Sequence, residues 1–198
     1  MSQRRVVVTG LGPVSPIGIG RDAFGAGLAE GRVGVDRIAA FEPGGFRAQI
    51  AGEIRDFSSR DYVPKFYRKS IKVMARDIEL AVAATDCAVR DSGLATKGTL
   101  DDGGTPTVDP TRMGLNIGAG LICADLAELS HALSTAAPDG KFSLERWGRE
   151  GMTNLTPLWL LKYLPNMLAC HVSIIHDAQG PSNTITCAEA SSALSLGE

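Results

Sequence analysis

Apolar side chains recur at a helical spacing in the segment from Arg68 to Ser92. The repeat of three and four residues predicts one long amphipathic helix that buries its apolar stripe against a partner surface. Ser92 and Gly93 are typical of the point where such a helix ends. The stripe consists of Ile71, Met74, Ala75, Ile78, Val82, Thr85 and Val89.

Shorter apolar runs predict strands and further helices around this segment. Strands are predicted at Arg5 to Thr9, near Gln49 to Ile54, at Arg112 to Ile117 and at Asn183 to Thr186. Helices are predicted at Asp22 to Glu30, Ala124 to Leu133, Trp159 to Tyr163, Asn166 to Ile175 and from Ala190 onward. Strands that alternate with helices predict a layered α/β architecture with parallel pairing.

The first predicted strand breaks at a glycine-rich turn. Gly10 and Gly12 fit the first two positions of the dinucleotide pattern G-x-G-x-x-G, but Ser15 occupies the third. Pro13 and Pro16 remove backbone donors where a phosphate-binding helix would begin. We therefore interpret the turn as structural, with glycines that let two backbones pass closely.

Composition narrows the function classes. The formal net charge of -2 gives no general attraction to nucleic acid, and no stretch reaches the roughly 18 to 20 apolar residues of a membrane span. The four cysteines include no C-x-x-C pair, which favours reduced cysteines, a cytoplasmic location and no zinc site. His131, His171 and His176 are isolated from acids and nucleophiles at catalytic spacings, so we interpret them as structural.

Cations concentrate in the run KFYRKSIK, residues 65–72. Cations at the start of a helix oppose its dipole, so helix stability alone does not explain them. The run is either a solvated face or a docking patch for an acidic partner.

The stretch GPSNTITCAEASSALSLGE, residues 180–198, predicts a strand, a sharp corner and a helix. Enzymes place nucleophiles at such corners, because a helix N-terminus can lower the pKa of a thiol and bind an oxyanion. Cys187 and Glu189 both lie near this corner. From the residues alone, Cys187 is a candidate nucleophile.

Four stretches together resemble the β-ketoacyl-acyl carrier protein synthases of the type II elongating class. They are RRVVVTGLGPVSPIG, FYRKSIKVMARDIELAVAATDCAVRDSGL, GLNIGAGL and NMLACHVSIIHDAQGPSNTIT. The resemblance extends over essentially the whole chain. It implies that residues 1–198 are the N-terminal domain of a thiolase-like layered fold, with helices packed on a mixed, largely parallel sheet. It also implies that the domain is incomplete at its C-terminal end.

The resemblance implies a dimer that acts on thioesters carried by acyl carrier protein. Its phosphopantetheine arm would present the substrate, with no tightly bound cofactor. In the family a cysteine after the Gly-Pro turn accepts the acyl group, and two histidines from the C-terminal half assist decarboxylative condensation. We expect those histidines to lie outside this chain.

Spacing within the resemblance favours Glu189 over Cys187 at the nucleophile position. The family's cysteine lies nine residues after the glycine of the Gly-Pro turn and eight before a helix glycine. Here Gly180 plus nine is Glu189, and Glu189 plus eight is Gly197. Cys187 would need a two-residue deletion before it and a compensating insertion after it.

The resemblance also assigns two other surfaces. Lys65, Arg68 and Lys69 fall on positions that resemble the carrier-protein docking residues of the family, which favours the docking interpretation of the cationic run. Leu121 and Ile122 correspond roughly to a region that helps line the acyl pocket, although core packing would give the same pattern.

The sequence therefore predicts a ketosynthase-like protein of fatty acid or polyketide synthesis that does not itself condense acyl chains. It would pair with a cysteine-bearing ketosynthase, like a chain-length factor, or form a homodimer. Two alternatives stay open. One is an active synthase that uses Cys187, and the other is a malonyl decarboxylase without condensation.

Overall fold

The computed structural model of the protein describes residues 5–100 and 104–198. Within these ranges the chain forms six α-helices and six short strands, joined by 3₁₀ segments. The helices are α1 Arg21–Ala29, α2 Arg76–Asp91, α3 Leu126–Ala136, α4 Leu144–Arg149, α5 Met167–His176 and α6 Ser191–Gly197. The strands are β1 Val14–Ser15, β2 Gly18–Ile19, β3 Val35–Arg37, β4 Ile50–Gly52, β5 Leu115–Gly118 and β6 Ser182–Ile185. The 3₁₀ segments are Ser59–Asp61, Lys65–Val73, Pro110–Arg112, Gly151–Asn154 and Trp159–Tyr163.

The strands pair as three two-stranded sheets in the described ranges. Strands β1 and β2 pair antiparallel, as do β3 and β4, whereas β5 and β6 pair parallel. The α/β class is confirmed, and the pairing is mixed. The expected predominance of parallel pairs is not seen, because two of the three pairs join strands that are close in sequence and fold back on each other.

The core lies where α2 and α5 pack together beside β5. Ile78 and Val82 of α2 and Val172 of α5 are completely buried, and Ile175 is 1% exposed. These residues repeat at helical spacing, so the apolar stripe predicted for α2 has α5 as its partner surface. The buried cluster comprises Val63, Met74, Ala75, Ile78, Val82, Ala119, Ile122, Leu168, Val172 and Ile175.

The long helix predicted from Arg68 to Ser92 is interrupted. Residues Lys65–Val73 form a 3₁₀ helix, Met74 and Ala75 are extended, and α2 begins only at Arg76. Met74 and Ala75 are 5% and 4% exposed, so the break places both side chains in the core. The predicted end is confirmed, since Ser92 caps α2 and Gly93 has a φ of 73°.

The strand predicted at Arg5 to Thr9 is wrong. These residues form no strand, and Val6, Val7 and Val8 are 95%, 75% and 73% exposed. The β-branched run favours extended backbone, but a strand also needs a neighbour, and no described segment pairs with it.

The glycine turn that follows is structural, as predicted. A Cβ placed on Gly12 would lie 1.9 Å from the carbonyl oxygen of Ala84, and one on Gly10 would lie 2.2 Å from that of Ala88. Both oxygens belong to α2, so the absence of side chains lets this segment cross the helix backbone directly.

Two of the histidines hold the core together by hydrogen bonds. His171 is 3% exposed and its Nδ1 lies 2.9 Å from the hydroxyl of Tyr67. His176 is 2% exposed and its Nδ1 lies 2.7 Å from Oγ1 of Thr96. Burial lowers the pKa of both imidazoles. The structural interpretation is confirmed for these two, whereas His131 lies exposed on α3. None of the helices in the described ranges is both long and apolar enough to span a bilayer.

Candidate active-site elbow

The predicted strand-to-helix corner is a tight elbow between β6 and α6. Strand β6 lies parallel to β5, with Ile117 opposite Thr184 and Gly118 opposite Ile185. Helix α6 then packs back across β5. A Cβ on Gly118 would lie 2.5 Å from the backbone of Ser191, so only glycine allows α6 to begin this close to the strand.

A buried hydroxyl fixes the elbow. Ser191 is 2% exposed, and its Oγ accepts a hydrogen bond from the backbone N–H of Cys187 at 2.8 Å. The same hydroxyl donates to the carbonyl oxygen of Ala188 at 2.6 Å. Sequence reasoning missed Ser191, although a serine at the start of a predicted helix is a common sign of such a contact. One side chain thus satisfies two backbone groups of the turn.

The middle of the elbow has an unfavourable backbone conformation. Ala188 has a φ of 44°, in the left-handed region that non-glycine residues rarely occupy. Such a conformation costs on the order of 1 kcal/mol or more and persists only where the surroundings enforce it. Here the backbone N–H of Ala190 bonds to the carbonyl of Cys187 at 3.0 Å, which closes the turn around Ala188.

Cys187 and Glu189 flank Ala188, and both are solvent-exposed. The structure therefore brings the two candidate residues to the same turn. The carboxylate of Glu189 has no hydrogen bond or ion pair with any residue in ranges 5–100 and 104–198. The elbow presents an unpaired carboxylate and a nearby thiol to solvent.

The elbow has no histidine base among the described residues. His171 and His176 lie on α5 and are hydrogen-bonded to Tyr67 and Thr96. Neither these rings nor the exposed ring of His131 is bonded to Cys187 or Glu189, so no described histidine activates a nucleophile at the turn.

The predicted docking residues lie on the 3₁₀ helix that precedes the core. Lys65, Arg68 and Lys69 are all exposed. The guanidinium of Arg68 bends back and donates to the carbonyls of Val63 at 3.3 Å and Arg60 at 3.0 Å. Lys65 and Lys69 form no ion pair with a described carboxylate. The lysines are thus free cations, whereas Arg68 also holds the backbone before the helix.

The two predicted pocket residues lie in different environments, one in the core and one at the surface. Ile122 is 7% exposed and belongs to the core cluster, whereas Leu121 is 87% exposed. Ile122 therefore packs in the core and Leu121 presents an apolar side chain to solvent, and the acyl-pocket assignment of both stays a prediction. A Cβ placed on the adjoining Gly120 would lie 3.8 Å from the carbonyl oxygen of Ala188, so this segment passes beside the elbow.

A polar cluster holds the segment after Ile122 in place. The hydroxyl of Tyr163 accepts from the backbone N–H of Asp125 at 3.2 Å and donates to Glu128 at 2.7 Å. Lys162 forms an ion pair with the same carboxylate. Burial, followed by the nearby carboxylates, raises the pKa of Tyr163 to about 12, and the bond from Lys162 lowers the pKa of Glu128. This cluster ties the start of α3 to the 3₁₀ segment Trp159–Tyr163.

Comparisons with known proteins agree with the fold. Residues 3–198 match the family model of the β-ketoacyl synthase N-terminal domain. A 3-oxoacyl-[acyl-carrier-protein] synthase 2 from Vibrio harveyi is 30% identical over 95% of this chain and 39% of the relative. A putative polyketide β-ketoacyl synthase 1 from Streptomyces halstedii is 33% identical over 92% of this chain and 39% of the relative.

A solved structure gives the same assignment. The ishigamide ketosynthase/chain length factor superposes with a TM-score of 0.66 at 25% identity, covering 93% of this chain and 40% of that one. The chain thus spans about two fifths of the length of these proteins. The match to their N-terminal part confirms the predicted thiolase-like α/β fold, and the chain belongs to the β-ketoacyl synthase family.

Proposed function

We propose that the protein is a ketosynthase-like subunit of fatty acid or polyketide synthesis that handles acyl carrier protein thioesters without condensing them. Glu189 occupies the position of the family's nucleophilic cysteine. The protein would work in the cytoplasm as the partner of a cysteine-bearing ketosynthase, in the manner of a chain-length factor. It needs no tightly bound cofactor, since phosphopantetheine arrives on the carrier.

The position of Glu189 carries this proposal. It lies nine residues after Gly180 and eight before Gly197, without a gap. In the structure it follows the strained Ala188 and precedes α6, at a turn held by Ser191. Strain of this kind concentrates where a fold must present a particular side chain, which supports a presentation role for the elbow.

The chemistry of a carboxylate argues against condensation. Acylation of Glu189 would give a mixed anhydride, which is hydrolytically reactive, in place of the exchangeable thioester that a cysteine forms. An ionised carboxylate would also repel the carboxylate of a malonyl group. Both effects favour a partner subunit over a condensing or decarboxylating enzyme.

Acyl transfer tests the proposal directly. The full-length protein is incubated with a labelled acyl group on acyl carrier protein, and protein-bound label is measured before and after hydroxylamine. We expect no stable thioester on the protein. A hydroxylamine-labile thioester would contradict the non-condensing function.

An active synthase that uses Cys187 is the second candidate. The observation in its favour is that Cys187 is exposed at the same elbow and has its backbone N–H fixed by Ser191. The Cys187→Ala variant separates the candidates, with Cys123→Ala as a matched control because Cys123 is also exposed. Activity that is lost only in Cys187→Ala supports the synthase, and unchanged behaviour supports the partner subunit.

Malonyl decarboxylation without condensation gives a different product. Carbon dioxide release from malonyl-acyl carrier protein, measured with and without the full-length protein, distinguishes it. We expect no release above the background rate, because the carboxylate of Glu189 would repel the carboxylate of the malonyl group. Release that is abolished by Glu189→Ala would contradict the partner-subunit proposal and would indicate a decarboxylase.

The cationic run gives the carrier its docking site in this proposal. Carrier proteins of this class are acidic, and Lys65 and Lys69 are free cations on an exposed helix. Charge reversal at Lys65, Arg68 and Lys69 should weaken carrier binding and reduce its salt dependence. Arg68→Glu should also loosen the backbone near Val63, since it loses two carbonyl contacts. Unchanged affinity for the carrier would exclude this docking site.

A further inference from the structure

The 3₁₀ winding of Lys65–Val73 decides which of its side chains lie together. A 3₁₀ helix has three residues per turn, so side chains three apart lie above one another. Phe66, Lys69 and Lys72 therefore form one row along the helix. In an α-helix the outer two would be separated by about 120° around the axis. The row could not be predicted from a sequence that suggested a continuous α-helix.

A lysine from a distant loop joins the row. The ammonium of Lys97 lies 5.4 Å from the ring centroid of Phe66, which is within the range of a cation–π contact. Its loop is anchored on both sides of the residue. Oγ1 of Thr96 is hydrogen-bonded to His176 at 2.7 Å, and a Cβ on Gly98 would lie 2.7 Å from Ile175. Lys97 is thus presented on a turn that is fixed to the core.

The row is exposed and carries unpaired charge. Phe66 is 55% exposed, whereas its neighbour Tyr67 is half-buried and bonded to His171. Lys69, Lys72 and Lys97 are exposed, and none forms an ion pair within the described ranges. An exposed apolar ring therefore lies in one row with cations that attract an acidic partner, and the ring is free for an apolar contact.

We propose that Phe66, Lys69, Lys72 and Lys97 form a cation–aromatic docking row for an acidic helix that places an apolar side chain against Phe66. The partner is the acyl carrier protein, so this inference rests on the proposed function. The lysines increase the association rate and select an acidic partner. Phe66 slows dissociation, because its exposed ring loses water only in the complex. Lys97 holds the ring in position.

Binding kinetics of holo-acyl carrier protein to the full-length protein test the row. Phe66→Ala should weaken binding about 10-fold, mainly through faster dissociation, and Phe66→Leu should restore most of the affinity. Lys97→Met should weaken binding about 3-fold in the parent protein and much less in Phe66→Ala, since it acts through the ring. Phe46→Ala, at a ring that is 54% exposed elsewhere, is the matched control and should have no effect.

The outcomes separate this inference from the proposed function. If charge reversal at Lys65 and Lys69 weakens binding but Phe66→Ala and Lys97→Met do not, docking stands and the cation–aromatic row is wrong. If the parent protein does not bind the carrier, both are wrong. Equal loss of binding to heparin in Phe66→Ala would indicate a general polyanion surface and would overturn the row. Lys141→Glu controls for net charge, because Lys141 is exposed and lies outside the row.

Discussion

The core between α2 and α5 and the elbow before α6 are stabilised in opposite ways. In the core, Ile78, Val82 and Val172 are completely buried, so apolar packing fixes their positions. At the elbow, Cys187 and Glu189 are exposed, and the turn depends on one buried hydroxyl and a left-handed alanine. The core stabilises the fold, whereas the strained backbone of the elbow costs part of that free energy and leaves its side chains exposed.

Substitution of a buried core residue should destabilise the protein most. Ile78→Ala removes a completely buried side chain and should lower the free energy of unfolding by about 4 kcal/mol. Ile174→Ala is the matched control, because Ile174 is 50% exposed on α5, and it should cost less than about 1 kcal/mol. Urea denaturation measures both. Equal losses would contradict the assignment of the core.

The next effect is at the elbow. Ser191→Ala leaves the N–H of Cys187 and the carbonyl of Ala188 without their side-chain partner, and should cost about 2 kcal/mol. Ser192→Ala changes an exposed serine on the same helix and should fall within about 0.5 kcal/mol of the parent. The comparison uses the same denaturation experiment. A neutral Ser191→Ala would mean that the turn does not depend on this hydroxyl.

Acid should weaken the core through its buried histidines. Burial lowers the pKa of His171 and His176 in the folded state, so the unfolded state binds more protons below its own pKa of about 6.5. The stability that the two neutral imidazoles contribute is therefore fully present above that pH. It falls on acidification by up to about 1.4 kcal/mol per pH unit for each proton taken up on unfolding. Unfolding measured between about pH 7.5 and about pH 5.5 should show this slope.

Variants identify the groups responsible for this slope. His176→Gln should reduce it, whereas His131→Gln should leave it unchanged because His131 is exposed. A slope that persists in His176→Gln and His171→Gln together would contradict the assignment to these imidazoles.

The smallest effect has opposite signs at nearby positions. Ala188→Gly relieves the positive φ of 44° and should stabilise the protein by about 0.5–1 kcal/mol. Ala193→Gly, at an exposed position inside α6, relieves no strain and should destabilise it by a similar amount, about 0.5–1 kcal/mol. Thermal unfolding measures both. Destabilisation by Ala188→Gly would show that the elbow is not strained.

The sequence predicted most elements whose signals are local. The periodicity of α2 and α5 and the Gly-Pro turn before β6 follow from residues close in the chain. The strand at Arg5 to Thr9 was mispredicted because a strand depends on a neighbour that local patterns do not provide. The break at Met74 was missed because core packing overrides helix propensity there.

The candidate site was also predicted only where its signals are local in the sequence. The corner and Cys187 follow from turn chemistry, and the choice of Glu189 follows from the spacing that the family resemblance implies. Ser191 was missed, because its role depends on a hydroxyl that reaches back across the turn. The row of Phe66 and Lys97 was missed because it needs both the 3₁₀ winding and a contact between distant segments.

We propose that position 189 is the family's nucleophile position and that its carboxylate prevents acyl transfer. The most direct measurement is the intact mass of full-length Glu189→Cys and of the parent protein after incubation with acyl-acyl carrier protein. We expect a hydroxylamine-labile acyl adduct on the introduced thiol of the variant and none on the parent. An adduct on the parent that disappears in Cys187→Ala would contradict this proposal.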